Sequence, residues 1–307
     1  MITSFITHQD CSLHDMGPWH PENPLRLNAI IDQLKLSGLM NQLIQYKARP
    51  VTEEQLYRAH PKAHVRSLQL SQPSEGFTPL EEETLLAPRS LEAASLAAGA
   101  VIRGVDQIFK NQADNVFCAV RPPGHHAERV ESMGFCFYNN VALGALHALE
   151  HHGLERVAIV DFDVHHGNGT VDIFRNDPRV LVCSSFQHPF YPWRYADHQG
   201  ENIINTPLEA HTASKGFRKA IEQSWLPAIQ NFRPQLILIS AGFDAHREDP
   251  MGELNLEDDD YYWVTQLLMD LADTYTEGHL VSVLEGGYDL NALARSVHRH
   301  LEALQKL

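Results

Sequence analysis

Short apolar runs alternate along this chain with stretches of helical period. Residues 116–120, 157–160, 180–185, 236–240 and 280–284 are rich in Val, Ile, Leu, Phe and other core residues, and residues 2–7, with Thr and Ser among them, read as a first strand. A strand with one wet face would alternate apolar and polar positions, so unbroken runs predict strands covered on both faces, as in a parallel sheet. Residues 25–39, 91–102, 139–152, 170–174, 214–231, 258–276 and 291–305 read instead as helices, several with the 3.6-residue period of a packed face, and Gly38 and Gly153 supply stop signals for two of them. The rhythm is βαβ, which predicts an α/β fold with a mostly parallel central sheet between helical layers. Helices are expected to dominate from residue 25 to 110. Residues 11–24 and 71–88 follow neither period and read as loops at the rim of a crevice. No Gly/Ser tract, repeat or low-complexity block intervenes, so residues 1–307 read as a single domain.

Four of the apolar runs end in reactive residues. The run at 116–120 leads into Arg121-Pro-Pro-Gly-His-His126, and that at 157–160 into Asp161-Phe-Asp-Val-His-His-Gly-Asn-Gly-Thr170. The run at 236–240 leads into Ala241-Gly-Phe-Asp244, and that at 280–284 into Glu285-Gly-Gly-Tyr288. Loops beyond the carboxyl ends of parallel strands form the ligand crevice of such sheets, which would collect His125, His126, Asp163, His165, Asp244 and Tyr288. In extended backbone Asp161, Asp163 and His165 share a face while Phe162 and Val164 point the other way.

Charge and cysteine content narrow the function. The net charge is -15, with 24 Lys+Arg against 39 Asp+Glu, which argues against nucleic acid as the main partner. Cys11, Cys118, Cys136 and Cys183 are widely spaced with no Cys-x-x-Cys pair, as in a reducing, cytoplasmic compartment. The start of the chain lacks a basic n-region, and nowhere do 18 apolar residues run together, so neither signal peptide nor membrane span is expected.

Two carboxylates, Asp163 and Asp244, and the imidazole of His165 make three ligands, the number that a catalytic zinc keeps while leaving one position open. Two anions would neutralise the dication. The His125-His126 pair offers a general base and a proton donor, and Tyr288 can present its hydroxyl to a carbonyl oxygen. Together these groups describe amide hydrolysis.

These motifs, with Gly134-Phe-Cys136 and His20-Pro-Glu-Asn-Pro-Leu-Arg26, resemble the zinc-dependent histone deacetylase superfamily over essentially the whole chain, nearest its class II-like branch with the acetylpolyamine amidohydrolases and acetoin-utilisation proteins. The resemblance implies the arginase/deacetylase fold, with about eight strands. It implies zinc on Asp163, His165 and Asp244, His126 as general base and acid, His125 as its electrostatic partner oriented by Asp161, and Tyr288 polarising the scissile carbonyl. Asn168 stands where class I members carry an aspartate. Its neutral amide can orient His126 without stabilising the imidazolium, so His126 is expected to stay neutral further into acid. The resemblance also implies a structural potassium held by Asp161, Asp163, His165 and Ser185. Gly134, Phe135, His20, Met251 and an aromatic from the stretch Phe190 to Trp193, Trp193 among them, would line the substrate channel.

The expected substrate is an acyl group on lysine in a protein or peptide. Polyamine-selective relatives carry an acidic residue just after the Asp-Pro step, where this chain has Met251, although Glu75, Glu81, Glu82 and Glu83 could supply that charge from a flanking loop. An acetylpolyamine substrate is therefore the first alternative. A binuclear manganese ureohydrolase needs a further carboxylate two residues after Asp244, where His246 stands. A silent acyl-lysine-binding module would be expected to have lost a ligand or the tyrosine. Assembly into a homo-oligomer is left open by the sequence.

Overall fold

The computed structural model describes residues 1–307. Ten strands and nine helices follow one another along it. The strands are β1 (Thr3–Thr7), β2 (Ile44–Lys47), β3 (Thr78–Pro79), β4 (Leu85–Leu86), β5 (Asn115–Cys118), β6 (Val157–Asp161), β7 (Val180–Gln187), β8 (Ile203–Leu208), β9 (Leu236–Ala241) and β10 (Leu280–Leu284). The helices are α1 (Leu25–Leu36), α2 (Glu53–Ala59), α3 (Lys62–Ser71), α4 (Ser90–Phe109), α5 (Asn140–His151), α6 (Asn168–Phe174), α7 (Ser214–Phe232), α8 (Asp258–Tyr275) and α9 (Leu290–Leu304).

Eight strands form one sheet in the order β2-β1-β5-β10-β9-β6-β7-β8, and every pairing is parallel. Strands β5, β6, β7, β9 and β10 are buried along their full length, because helices cover the sheet on either side. One helical layer is α4 and α5, with α2 against α5; the other runs α1, α9, α8, α7. No helix is long and apolar enough to cross a membrane. All four cysteines are free and buried.

Two strands of this sheet were not expected from the apolar pattern, β2 and β8, and both are its edges. The segment 71–88 is not featureless: it carries the small antiparallel pair β3-β4, which holds Glu81 and Glu83 between its arms. Residues 9–13 form a 3₁₀ turn at the start of the first loop, and Glu22 further along that loop is fully buried. The four strands with reactive ends, β5, β10, β9 and β6, are neighbours at the centre of the sheet, so their carboxyl-end loops open onto one place.

Candidate active site and metal centre

The loops after β6 and β9 bring Asp163, His165 and Asp244 together. One ligand atom from each lies within 4.8 Å of the others, and all three residues are buried. His165 Nδ1 stands 3.0 Å from Asp163 Oδ1 and 3.3 Å from Asp244 Oδ2. A single Nδ1 proton serves only one of the two carboxylates well, and Asp244 Oδ2 is left buried with no hydrogen-bond partner. The other oxygens are held by backbone: Asp244 Oδ1 accepts from Val164 N (2.8 Å), and Asp163 Oδ2 from Gly286 N (2.8 Å). Burial and the charge of Asp163 push Asp244 up to about 7 against the opposing pull of His165. Burial works against the cationic form of His165, but its two carboxylate partners outweigh it and raise it to about 10. This donor set suits a borderline divalent ion, which would replace the shared proton and satisfy the orphaned oxygen. Gly286 makes room for it, since a Cβ there would overlap Asp244 Oδ2 and stand 2.6 Å from Asp163 Oδ2.

The loop after β5 sets two imidazoles beside this trio, ring centroids 4.0 Å apart. Glu285 fixes the loop by accepting from Gly124 N (2.6 Å), His125 N (3.1 Å) and Ser240 Oγ (3.0 Å), tying the ends of β5, β9 and β10 to one carboxylate. His125 Nδ1 lies 2.9 Å from Asp161 Oδ2. Burial disfavours its charge, but Asp163 and Asp161 outweigh burial and raise His125 well above the usual histidine range. His126 moves the opposite way. Burial and then repulsion from His125 and His165 lower it well below that range, against the pull of Asp163 and Asn168.

The tautomer of His126 follows from its neighbours. Asn168 Nδ2 donates to Glu128 Oε1 (2.7 Å), a group that only accepts, so Asn168 Oδ1 faces His126 Nδ1 at 2.7 Å and must receive its proton. The Nε2 lone pair of His126 is therefore free.

A narrow cavity of about 150 Å³ leads to this cluster. Phe135, Phe190, Tyr191, Met251 and Tyr288 form much of its wall, and Glu81 and Glu83 lie on it as well. Phe135 holds φ +68 directly after Gly134 at φ +55, a conformation that a bulky residue seldom adopts and that is kept here by fixed neighbours. Phe135 N donates to Thr84 Oγ1 (3.0 Å) and Gly134 N to Glu81 Oε2 (3.0 Å). Phe190 stacks on His165 at 5.6 Å, and Tyr191 stands edge-on to His126 at 5.3 Å.

Two expected channel residues lie elsewhere. Trp193 is 70% exposed, because the turn that faces Phe190 and Tyr191 inward sends the fourth residue out at φ +62. His20 stands behind the wall, edge-on to Phe135 at 4.6 Å and bonded to Glu83 O at 3.1 Å. For the potassium set, Ser184 rather than Ser185 is opposite Asp161 in the β6-β7 register, and alternation turns Ser185 to the other face. Ser184 Oγ is buried without a partner. His246 faces Asp258 at 3.2 Å, so the position two after Asp244 offers no second metal carboxylate.

Sequence reasoning passed over several supporting groups. Asp249 Oδ2 accepts from Tyr288 N (2.6 Å) and Asp289 N (3.0 Å), and its Oδ1 from Met251 N (3.0 Å), so one carboxylate sets two wall residues. Arg26 donates to the carbonyls of Glu285 and Gly287, both at 2.6 Å, and its guanidinium lies over the Tyr288 ring. Only the Asp-Pro-Met spacing of a side chain that can cap its own turn hinted at the first, and the second ends the motif His20 to Arg26, which gives no sign of what its guanidinium reaches.

Residues 20–304 match the family described as the Histone deacetylase domain. The histone deacetylase-like amidohydrolase of Pseudomonas aeruginosa is 37% identical over 93% of this chain and 81% of its own length. A polyamine deacetylase of Mus musculus is 35% identical over 99% of this chain and 48% of its length. Among solved structures, the HD domain of HDA15 superposes with a TM-score of 0.94 at 34% identity, covering 99% of this chain and 88% of that one, which establishes the arginase/deacetylase fold.

Proposed function

Because this chain belongs to the histone deacetylase family, we propose that it is a zinc-dependent amidohydrolase that removes acyl groups from the side-chain amine of lysine. The observation that carries the reading is the convergence of Asp163, His165 and Asp244 with the free Nε2 of His126 at the end of a narrow, largely apolar cavity. Asp163, His165 and Asp244 would hold the zinc, which when bound lowers the pKa of water towards neutrality and polarises a carbonyl.

The chain's own residues supply the rest. Phe135 and Phe190 bracket an unbranched stem and exclude water around the amide. Neutral His126 accepts the proton of the attacking water at Nε2 and returns it to the departing amine nitrogen. His125, kept cationic by Asp163 and Asp161, balances the carboxylates and keeps His126 unprotonated. Burial raises the Tyr288 hydroxyl well above its usual range, so it keeps its proton and donates a hydrogen bond to the carbonyl oxygen. A structural potassium would fit beside Asp161, with Ser184 in place of the expected Ser185, because Ser184 Oγ is an unsatisfied buried oxygen on that face.

Met251 on the wall favours an acyl-lysine peptide, and Glu81 is already engaged by Gly134, Thr84 and Tyr191. Exposed Glu83 supports an acetylated polyamine as the second reading. Acyl-lysine peptides of several chain lengths and acetylspermidine, assayed with chelator and after zinc restoration, test both. Chelator-sensitive peptide hydrolysis that falls at least about a hundredfold in Tyr288→Phe is expected; activity indifferent to chelator would overturn the mechanism, and faster turnover of acetylspermidine would transfer the assignment to polyamines.

A further inference from the structure

A second cluster of metal-ligating side chains lies far from the substrate cavity. Helices α4 and α5 run back against the strands, so their carboxyl ends lie at the amino-terminal edge of the sheet, opposite the loops just described. There Asp106, in the last turn of α4, meets three histidines at the end of α5: His147, His151 and His152. One ligand atom from each of the four falls within 4.8 Å of the others. His147 and His151 are one helical turn apart, which puts both rings on the same face, and they stack at 4.8 Å. His152, the C-cap, stands edge-on to both, at 5.3 and 5.0 Å.

The hydrogen bonds show which atoms are aimed inward. Asp106 Oδ1 receives both His147 Nε2 and His152 Nε2 at 2.9 Å. Arg58 Nη1, which can only donate, stands 3.1 Å from His147 Nδ1, so the His147 proton is on Nε2 and points at Asp106. One carboxylate oxygen thus collects two imidazole protons while a third imidazole stacks alongside with no acidic partner. That is a surplus of nitrogen donors over anions, which a polar brace between two helices does not need.

We propose that Asp106, His147, His151 and His152 form a second metal site, closed and structural, for zinc or a similar late first-row divalent ion, clamping α4 to α5. Three imidazoles and one carboxylate suit zinc, cobalt, nickel or copper and do not suit magnesium or calcium, which take oxygen ligands. With zinc–ligand bonds of about 2.0–2.2 Å, the donors of a tetrahedral site stand about 3.4 Å apart, so the two 2.9 Å contacts to Asp106 must open by about 0.5 Å while the wider pairs close in. The exposure of His151 allows this, and Lys110 pairs with the other oxygen of Asp106, leaving Oδ1 available. On binding, the ion takes the Nε2 lone pairs of His147 and His152, each ring's proton moves to its own Nδ1, and Arg58 turns wholly to Glu150, with which it already pairs at 3.0 Å.

The test is metal stoichiometry and thermal stability of the full chain, stripped by chelation and titrated with Zn²⁺ and, for its visible spectrum, Co²⁺. The wild type is expected to bind two equivalents. His151→Ala combined with His152→Gln, both outside the catalytic machinery, should bind one, keep wild-type kcat, and lose the part of the metal-induced rise in Tm that accompanies the second equivalent. Losing two ligands should cost more than the roughly 10–100-fold seen when only a supporting partner is removed. Asp163→Asn should retain the equivalent that the double variant loses. A wild type whose single equivalent is lost in Asp163→Asn, or a double variant that still binds as much metal as the wild type, overturns this site; an Asp163→Asn protein that still binds two overturns the strand-end site instead.

Discussion

At the scale of single residues, the contrast between His125 and His126 governs the chemistry. Adjacent rings in the same burial are driven apart because one faces Asp161 and Asp163 while the other faces two imidazoles and an amide. The amide is the point of leverage. In Asn168→Asp a carboxylate would sit 2.7 Å from His126 Nδ1 and favour the imidazolium, while Arg194, 3.1 Å from Glu128, offsets the new repulsion there. A raised His126 loses its free base form at higher pH, so the acidic limb of kcat/KM should move up by about one unit or more. Coincident profiles for the two proteins would show that Asn168 does not set the protonation of His126. The identity of this pair was legible because His-His follows an apolar run; its tautomer was not, since it depends on Glu128, which is remote from Asn168 in sequence and whose contact no local pattern announces.

At the scale of elements, the site is made by where strands stop. The interior strands β5, β6, β7, β9 and β10 were legible because helices on both faces demand apolar runs, and with β1, read as a strand despite its Thr and Ser, they are the six that have neighbours on both sides in the sheet. The two that escaped are the edges. Strand β2 reads Ile-Gln-Tyr-Lys and is largely exposed, and β8 contains Pro207, which an edge tolerates because one side of its backbone needs no partner. The turn Phe190 to Trp193 misled for a related reason: aromatic content says that a segment buries something, but backbone dihedrals decide which ring turns inward. The loop after β10 offers the clearest test at this scale. Gly286 gives both a backbone donor to Asp163 and the space beside Asp244, so Gly286→Ala should cost about 1–3 kcal/mol of stability as the two carboxylates are pushed apart. It should also abolish metal retention at the strand ends while the far-ultraviolet circular dichroism stays native. Stoichiometric zinc at that site in Gly286→Ala would mean that the carboxylates relax without losing their ion.

At the scale of the whole molecule, the question is how the first loop, regular only in the 3₁₀ turn at its start, holds the catalytic end of the sheet together. Glu22 answers it. Its carboxylate is fully buried, paired with Arg121, 3.1 Å from Arg26 Nη1 and 3.3 Å from His14 Nε2. Through Arg26 it reaches the carbonyls of Glu285 and Gly287, and through Arg121 it reaches the segment that carries the histidine pair, so one charge joins the first loop to the ends of β5 and β10. Burial opposes the anion, but Arg121 and then His14 and Arg26 outweigh burial and hold Glu22 well below the usual carboxylate range. A group lowered on folding contributes fully above its unfolded value, about 4.3, and that contribution is lost as pH falls from there towards the folded value. The wild-type protein should therefore lose Tm steeply below about pH 4. Glu22→Gln leaves two guanidinium groups without their buried counter-charge and should cost about 3–5 kcal/mol at pH 7. Its acid-side slope should also be shallower, because the titrating group is gone. Thermal melts of both proteins from pH 3 to 7 decide the matter: parallel curves, offset by a constant, would assign the acid sensitivity to other carboxylates and reduce Glu22 to a packing role.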